Sequence, residues 1–447
     1  RVVPQARRAL VWSAALRIAA RPWGASMSEQ DQVFVKCAWR LIPLIMLLYF
    51  ANITDRVNVG FAALTMNKDL GFSASVYGFG AGAFFLGYAL FQIPANAILE
   101  RVGARRWIFS ILLGWGALSA ANSLVTNATQ FYAVRIALGL VEAGFFPGMI
   151  LYLTYWFTKA YRGRLVAIFM AALPLANIIG APLSSAILGL NGIFGFAGWQ
   201  WLFLLEGAPT MLLAFLVLRF MPDRPQAAPW LSDDEKTIIA TSLANDDTSE
   251  QTRFWPALRD PRVYALGLVY FGYSISFYGV GLWLPQIVQG MGVSNLMTGF
   301  VIAPAYVVAF VAMILWGRSS DARNERAWHV ALPALMMVAS LLIASQSQSN
   351  LLIFICLSLV VVGSMALQGP FWVLPSIFLS GSAAAGGIAL INTIGTAAGG
   401  FAGPYVLGLL REATGGYSAG MLALALGPLL TASIVLFLGR QLGKRAI

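Results

Sequence analysis

Twelve apolar stretches, each long enough to cross a lipid bilayer, set the terms for everything else in this chain. A helix needs about twenty consecutive apolar residues to span the hydrocarbon. Such runs fall near 38–63, 74–99, 106–124, 129–152, 163–190, 200–220, 262–288, 297–317, 328–346, 350–376, 384–410 and 418–439. Backbone N–H and C=O groups cannot go unpaired in lipid, so only helices or a closed barrel cross it. Barrel strands are short and alternate apolar with polar, whereas these runs are long and unbroken. The expected fold class is therefore all-α integral membrane, with twelve transmembrane helices. The composition fits a polytopic protein: 59% hydrophobic and 11% charged residues over 447 positions, with mean hydropathy +0.75.

The net charge of +11 would suggest nucleic acid in a soluble chain, but its distribution decides otherwise. Basic residues gather in short loops, at Arg101, Arg105 and Arg106, at Lys159, Arg162 and Arg164, and at Arg318, Arg323 and Arg326. Arg440, Lys444 and Arg445 close the chain, while the alternate loops 122–130, 191–198, 290–295 and 345–350 carry no Lys or Arg. By the positive-inside rule the basic loops are cytoplasmic, with both termini inside. Cys37, Cys356 and the single histidine, His329, show no spacing suited to a metal site or a disulfide framework. No cofactor, metal or nucleic-acid partner is expected.

Residues 222–261 interrupt the hydropathy with Pro222, Asp223, Pro225, Asp233, Asp234, Glu235, Asp246, Asp247 and Glu250. This stretch reads as a cytoplasmic linker with a short amphipathic helix at Asp233–Leu243. The expected organisation is an N-terminal tail at 1–36, a six-helix bundle at 37–221, the linker at 222–261, a second bundle at 262–440 and a tail at 441–447. Arg17 interrupts the apolar run of the N-terminal tail, which argues against a signal peptide, and Met27 reads as a plausible native start.

The two halves are related. At an offset of 221, Tyr49-Phe50 falls on Tyr270-Phe271, Val59-Gly60 on Val280-Gly281 and Glu100 on Asp321. An internal repeat of six spans is a transporter signature, with substrate expected near the midplane between the repeats.

Full charges inside the spans are costly and mark function by default. The first half holds four: Asp55 and Arg56 in the first span, Arg135 and Glu142 in the fourth. Arg135 and Glu142 are seven residues apart, so they project from one helix face about 10.5 Å apart along the axis. Gly139 lies between them and is expected to leave room for something to approach. The four positions are not repeated, since Ser276, Phe277, Cys356 and Gly363 stand in the second half. A second reading stays open, in which these charges form a salt-bridge clamp between spans; Glu206 is open in the same way, as an anchor of the sixth span. The second half offers neutral groups instead: Tyr273, Ser276, Tyr278, Gln286, Gln368, Trp372, Asn392 and Thr396, the last two sharing a face one turn apart. The turn Glu100-Arg101-Val102-Gly103-Ala104-Arg105-Arg106, with Asp321 as its degenerate echo, reads either as a conformational latch or as another basic loop. An intramembrane enzyme would need a nucleophile with a base or a metal cluster, which this residue set does not supply.

Asp55-Arg56-Val57-Asn58, the Glu100–Arg106 turn, Arg135 with Glu142-Ala143-Gly144-Phe145-Phe146-Pro147-Gly148, and Gly198-Trp199-Gln200-Trp201-Leu202-Phe203 occur in this order. Over about residues 36–440 the chain resembles the major facilitator superfamily and, within it, the anion:cation symporters. Those include tartrate, phthalate, hydroxyphenylacetate and sugar-acid permeases. The resemblance implies two pseudo-symmetric six-helix bundles, alternating access and a monomer in a bacterial inner membrane. It also implies Arg56 and Arg135 as anion ligands and Asp55 and Glu142 as proton-coupling carboxylates. Tyr88, Gln368, Trp372 and Asn392 would complete the pocket. There are departures: Asn96 and Glu100 replace the usual Gly and Asp of the loop motif. Leu173-Pro174 stands where sugar-acid members often carry Gln.

The partners so implied are a small organic anion and protons. The expected activity is proton symport of a carboxylate, a tartrate-like hydroxy acid first, an aromatic acid or a sugar acid next. A proton-coupled exporter of hydrophobic compounds is the rival, and two core Arg residues argue against it.

Overall fold

The computed structural model describes residues 28–246, 259–377 and 381–442. The tails as far as Met27 and from Gly443, together with linker residues 247–258, lie outside them. Within the described residues, twelve stretches are long and apolar enough to span a membrane.

The first half comprises α1 (Glu29–Asp69), α2 (Ala74–Val102), α3 (Ala104–Ala121), α4 (Ala128–Glu142), α5 (Phe145–Thr154), α6 (Lys159–Met170), α7 (Ala172–Leu188) and α8 (Gly198–Phe220). The linker carries α9 (Asp233–Asp246). The second half comprises α10 (Pro261–Gly290), α11 (Asn295–Arg323), α12 (Ala327–Gln346), α13 (Asn350–Ala366), α14 (Gln368–Val373), α15 (Gly381–Asn392), α16 (Gly400–Thr414) and α17 (Ser418–Leu442). A π-helical stretch at Thr393–Gly399 joins α15 to α16.

Several boundaries differ from the hydropathy reading, for local reasons. α1 runs 41 residues, well past the apolar run, because Ser28 and Asp31 form a reciprocal capping box ahead of it. The fourth, fifth and tenth spans are each two helices. In every case a proline sits four residues beyond the break: Pro147 after Ala143, Pro174 after Met170, Pro370 after Ala366. A proline ring clashes with the carbonyl four residues back and removes its hydrogen bond, so the helix re-forms one turn later. The first of these breaks falls immediately after Glu142 and leaves that side chain at a helix end.

Within the first half α3 lies along α8, α2 along α4, and α1 against α7 and α8. In the second half α12 packs on α13 and α17, α10 on α17, and α11 on α13. The halves meet where α2 runs along α16, α7 along α11, and α1 against α10.

Polar bonds across this seam gather at the end away from the linker. Asn67 donates to Gln286 (3.3 Å), Tyr77 to the Leu282 carbonyl (2.7 Å), and the Ser75 amide to Glu412 (2.8 Å). At the opposite end Lys36 holds Glu235 at 2.7 Å and so docks α9 onto α1. Ser232 and Glu235 cap α9 reciprocally, and Ile239 is its buried contact.

Candidate functional site

Arg56, Arg135 and Glu142 come together around the ring of Phe84. Both guanidinium carbons lie 5.2 Å from that ring's centre, Arg56 reaching it from α1 and Arg135 from α4. Arg56 also lies 5.2 Å from the ring of Tyr88, one turn further along α2. An aromatic face attracts a cation through its quadrupole, and more strongly where water is excluded. Phe84 thus holds two positive groups close in space that would otherwise repel.

The sequence places Glu142 on the same helix face as Arg135, yet Glu142 pairs with Arg56. Arg56 Nε donates to Glu142 Oε1 at 2.9 Å, and its Nη2 donates to the same oxygen. Nη2 also reaches Asn52 Oδ1 at 3.4 Å. Glu142 Oε2 is buried and has no donor. Arg135 is fully buried, and none of its three guanidinium nitrogens has an acceptor among the described residues. A buried cation with all its donors unspent is costly to keep, which makes it the most telling feature of the site.

The room that Gly139 leaves for an approach is taken by α2. A Cβ there would collide with the Phe84 carbonyl, and one at Gly87 with the Ile136 carbonyl. The missing side chains let α2 and α4 approach backbone to backbone, which is what brings the Phe84 ring within 5.2 Å of both guanidinium groups.

Asp55 stands apart from this group. Consecutive residues on a helix point about 100° apart. Asp55 accordingly turns from Arg56 toward Ser119 of α3 (2.8 Å) and Thr210 of α8 (3.0 Å). Glu206 lies on the same side and accepts from Ser184 at 2.7 Å.

The second half contributes an aromatic wall. Tyr278 of α10 packs on Phe85 at 4.4 Å and lies within electrostatic reach of Arg56. Tyr270 stacks on Tyr273 (5.0 Å) and meets Trp372 edge-on (5.2 Å). The Thr396 hydroxyl donates to Asn392 Oδ1 (3.1 Å) and sits 3.0 Å from the Tyr270 hydroxyl. Gln368 opens α14 just after the proline break and is half-buried. Tyr278 and Tyr270 are thus the links between Arg56 and the Trp372–Asn392 side. Tyr278 is among the neutral groups the sequence offers, whereas Tyr270 enters there only as the repeat match of Tyr49, since a tyrosine in such a span is too common a pattern to single out.

The basic turn is spread out. Gly103 has φ of +90°, a conformation that favours glycine, and it lets the Arg105 amide reach Asp223 Oδ1 at 2.8 Å. Arg105 also donates to the Leu218 carbonyl, while Arg101 and Arg106 are exposed. Asp321 pairs with Arg326 at 2.8 Å. These contacts tie the first half to the start of the linker and stay within the second half, without joining the two halves; the Glu100 side chain lies outside the described residues.

A long helical chain crossing a membrane twelve times, with buried charge at the seam of two halves, is a solute transporter by architecture. The family model of the Major Facilitator Superfamily matches residues 45–404, and the chain belongs to that superfamily of secondary transporters, which are not enzymes. It is 45% identical over 418 residues to an Agrobacterium vitis protein named "Putative tartrate transporter", covering 93% of each chain. It is also 37% identical to a "Quinolone resistance transporter" of Acinetobacter baumannii, covering 93% of this chain and 98% of that one. A bacterial homologue of the human lysosomal transporter Spinster shares the fold, with a TM-score of 0.75 at 18% identity, over 95% of this chain and 99% of that structure.

Proposed function

We propose that this transporter imports a small organic carboxylate, with a tartrate-like hydroxy acid as the favoured substrate, by proton symport across a bacterial inner membrane. The observation that carries the reading is Arg135. Its planar fork of donors matches a carboxylate, and it is buried beside a second arginine with every donor unspent. The 45% identity to the Agrobacterium vitis protein supports the choice of tartrate.

In this reading Arg135 takes one carboxylate of the substrate. Arg56 becomes available for the other when Glu142 is protonated and lets go of it. Substrate and proton are then bound together because a single salt bridge cannot coexist with both. Asp55 is a second carboxylate available for protons. Tyr88, Gln368, Trp372 and Asn392, joined by Tyr278 and Tyr270, form the neutral wall that chooses among anions. The turn of Glu100, Arg101, Gly103, Arg105 and Arg106, with Asp321, serves as the latch at the linker end. Both termini and the linker face the cytoplasm, where the basic loops lie, and the protein works as a monomer.

Each net positive charge carried inward gains roughly 2.3 kcal/mol per 100 mV of membrane potential, so protons in excess of substrate charge drive accumulation. Uptake of labelled tartrate into proteoliposomes under an inward proton gradient tests the reading. Accumulation above the external level supports it, and outward pumping of an apolar compound with no anion uptake overturns it.

A second substrate reading has its own observation. Phe84, Tyr270 and Trp372 give the site aromatic faces, which suit an aromatic acid. Competition of benzoate-type acids against tartrate separates the two.

A further inference from the structure

Asp55 and Glu206 meet in a second polar cluster, enclosed by α1, α3, α7 and α8 and turned away from the paired arginine. Ser119 donates to Asp55 Oδ1 (2.8 Å), Thr210 to Asp55 Oδ2 (3.0 Å) and Ser184 to Glu206 Oε1 (2.7 Å). Asn58, one turn after Asp55, places its amide nitrogen 3.4 Å from Asp55 Oδ1, and Thr210, which bonds Asp55, sits one turn after Glu206 with its hydroxyl 3.2 Å from the Glu206 carbonyl. Asp55 is 1% exposed, Asn58 0% and Glu206 8%.

Acceptors outnumber donors in this cluster. Glu206 Oε2 and Asn58 Oδ1 are both buried without a donor, although every hydroxyl at hand already serves the carboxylates. No Lys, Arg or His bonds either carboxyl group among the described residues. The charged groups that face Asp55 are Arg56 on its own helix, Arg135 and Glu142 on α4, and Glu206 on α8. α3 contributes the neutral Ser119 and the indole N–H of Trp115, and α7 the neutral Ser184. Two ionised carboxylates within electrostatic reach of each other, in an apolar surround, cannot both stay charged. Protonating one of them removes a charge and also turns an acceptor into a donor beside Glu206 Oε2 and Asn58 Oδ1, which have none.

We propose that Asp55 and Glu206 form one proton-sharing carboxyl pair, a proton site inside the first half that is separate from the Arg56–Glu142 salt bridge. The pair gains a proton from water on one side of the membrane, forming a carboxyl O–H, and returns it to water on the other. Its part in driving uptake rests on the symport reading above; its existence does not.

Infrared difference spectroscopy of the full chain in liposomes, titrated with pH and without substrate, tests the pair through its protonated carbonyl band. In Glu206→Gln and in Asp55→Asn the remaining carboxyl no longer faces a second negative charge. The midpoint of the band moves to lower pH by about one unit, a tenfold change in proton affinity. Ser184→Ala keeps both carboxyls but removes a donor to the ionised form, so its midpoint moves the other way, which misfolding would not produce. Unchanged midpoints overturn the pair, as does displacement of the band by sodium, which marks a metal-cation site. Labelled tartrate uptake in the same vesicles keeps the two ideas apart. Accumulation by the wild type with unchanged midpoints sinks only the pair; shifted midpoints without accumulation support the pair and sink the symport reading.

Discussion

Glu142 pairs with Arg56 across the gap from α4 to α1 and leaves Arg135, seven residues before it on its own helix, without an acceptor. The two arginines therefore differ, although both lie 5.2 Å from the Phe84 ring. Arg56 is neutralised within the protein, whereas Arg135 keeps its donors for something else. Replacing Arg135 with Met should abolish binding and at the same time raise thermal stability, because an uncompensated buried cation gives way to an apolar side chain of similar length. Thermal unfolding of the purified variant, with and without tartrate, checks both halves. A variant less stable than wild type would mean that Arg135 has a structural partner.

Arg135→Lys keeps the charge but loses the planar fork. A bond to a charged group contributes about 1.5–3 kcal/mol, so losing one of two parallel bonds should weaken substrate binding on the order of 10–100-fold. The ligand-induced shift in unfolding temperature measures it directly. Equal affinity in the two proteins would remove bidentate recognition from the account.

Glu142→Gln should free Arg56 permanently and remove a proton acceptor. Uptake driven by a pH gradient is expected to collapse, while exchange of internal for external substrate persists. The two assays differ only in whether a proton must bind and leave. If driven uptake survives in this variant and in Asp55→Asn, neither carboxylate couples protons to transport.

How much of this was legible beforehand depends on the range over which each residue acts. The spans were readable because a bilayer imposes about twenty apolar residues on every crossing. The helix breaks after Glu142, Met170 and Ala366 are invisible to hydropathy, since proline counts as one more apolar-tolerant position. Their signal was present in Pro147, Pro174 and Pro370, four or five residues past each break. Helix periodicity placed Arg135 and Glu142 on one face, but it holds no information about which neighbouring helix supplies a partner. That choice is tertiary, as is the meeting of Asp55 with Glu206, 151 positions apart in the chain. At Gly139 the absent side chain made an approach legible, but not that the approaching group is the α2 backbone.

Gly139→Ala offers a sharp test of that contact. A methyl group would strike the Phe84 carbonyl of α2, a backbone atom with no freedom to turn aside. Separating α2 from α4 would also pull Phe84 away from Arg135. Both folding yield and substrate binding should fall, and Gly163→Ala, whose added methyl meets nothing within 4 Å, serves as the control. Normal yield and affinity in Gly139→Ala would show that the two helices do not need this approach.

The contact between α9 and α1 gives a prediction with a pH sign. Lys36 and the Ser232 cap hold the Glu235 carboxyl below its usual range. A carboxyl whose folded value is lowered adds stability above its unfolded value, roughly 4.3 for glutamate, and loses it as pH falls through the folded value. The pair is partly exposed, so the effect is small, about 0.2–1 kcal/mol. Wild type should therefore unfold at a slightly higher temperature than Glu235→Gln at neutral pH, with the difference closing as the solution is acidified past the carboxylate range. High salt should narrow it as well, through screening. A difference that persists unchanged at low pH would place the effect of Glu235 in the packing of α9 against α1, not in its charge.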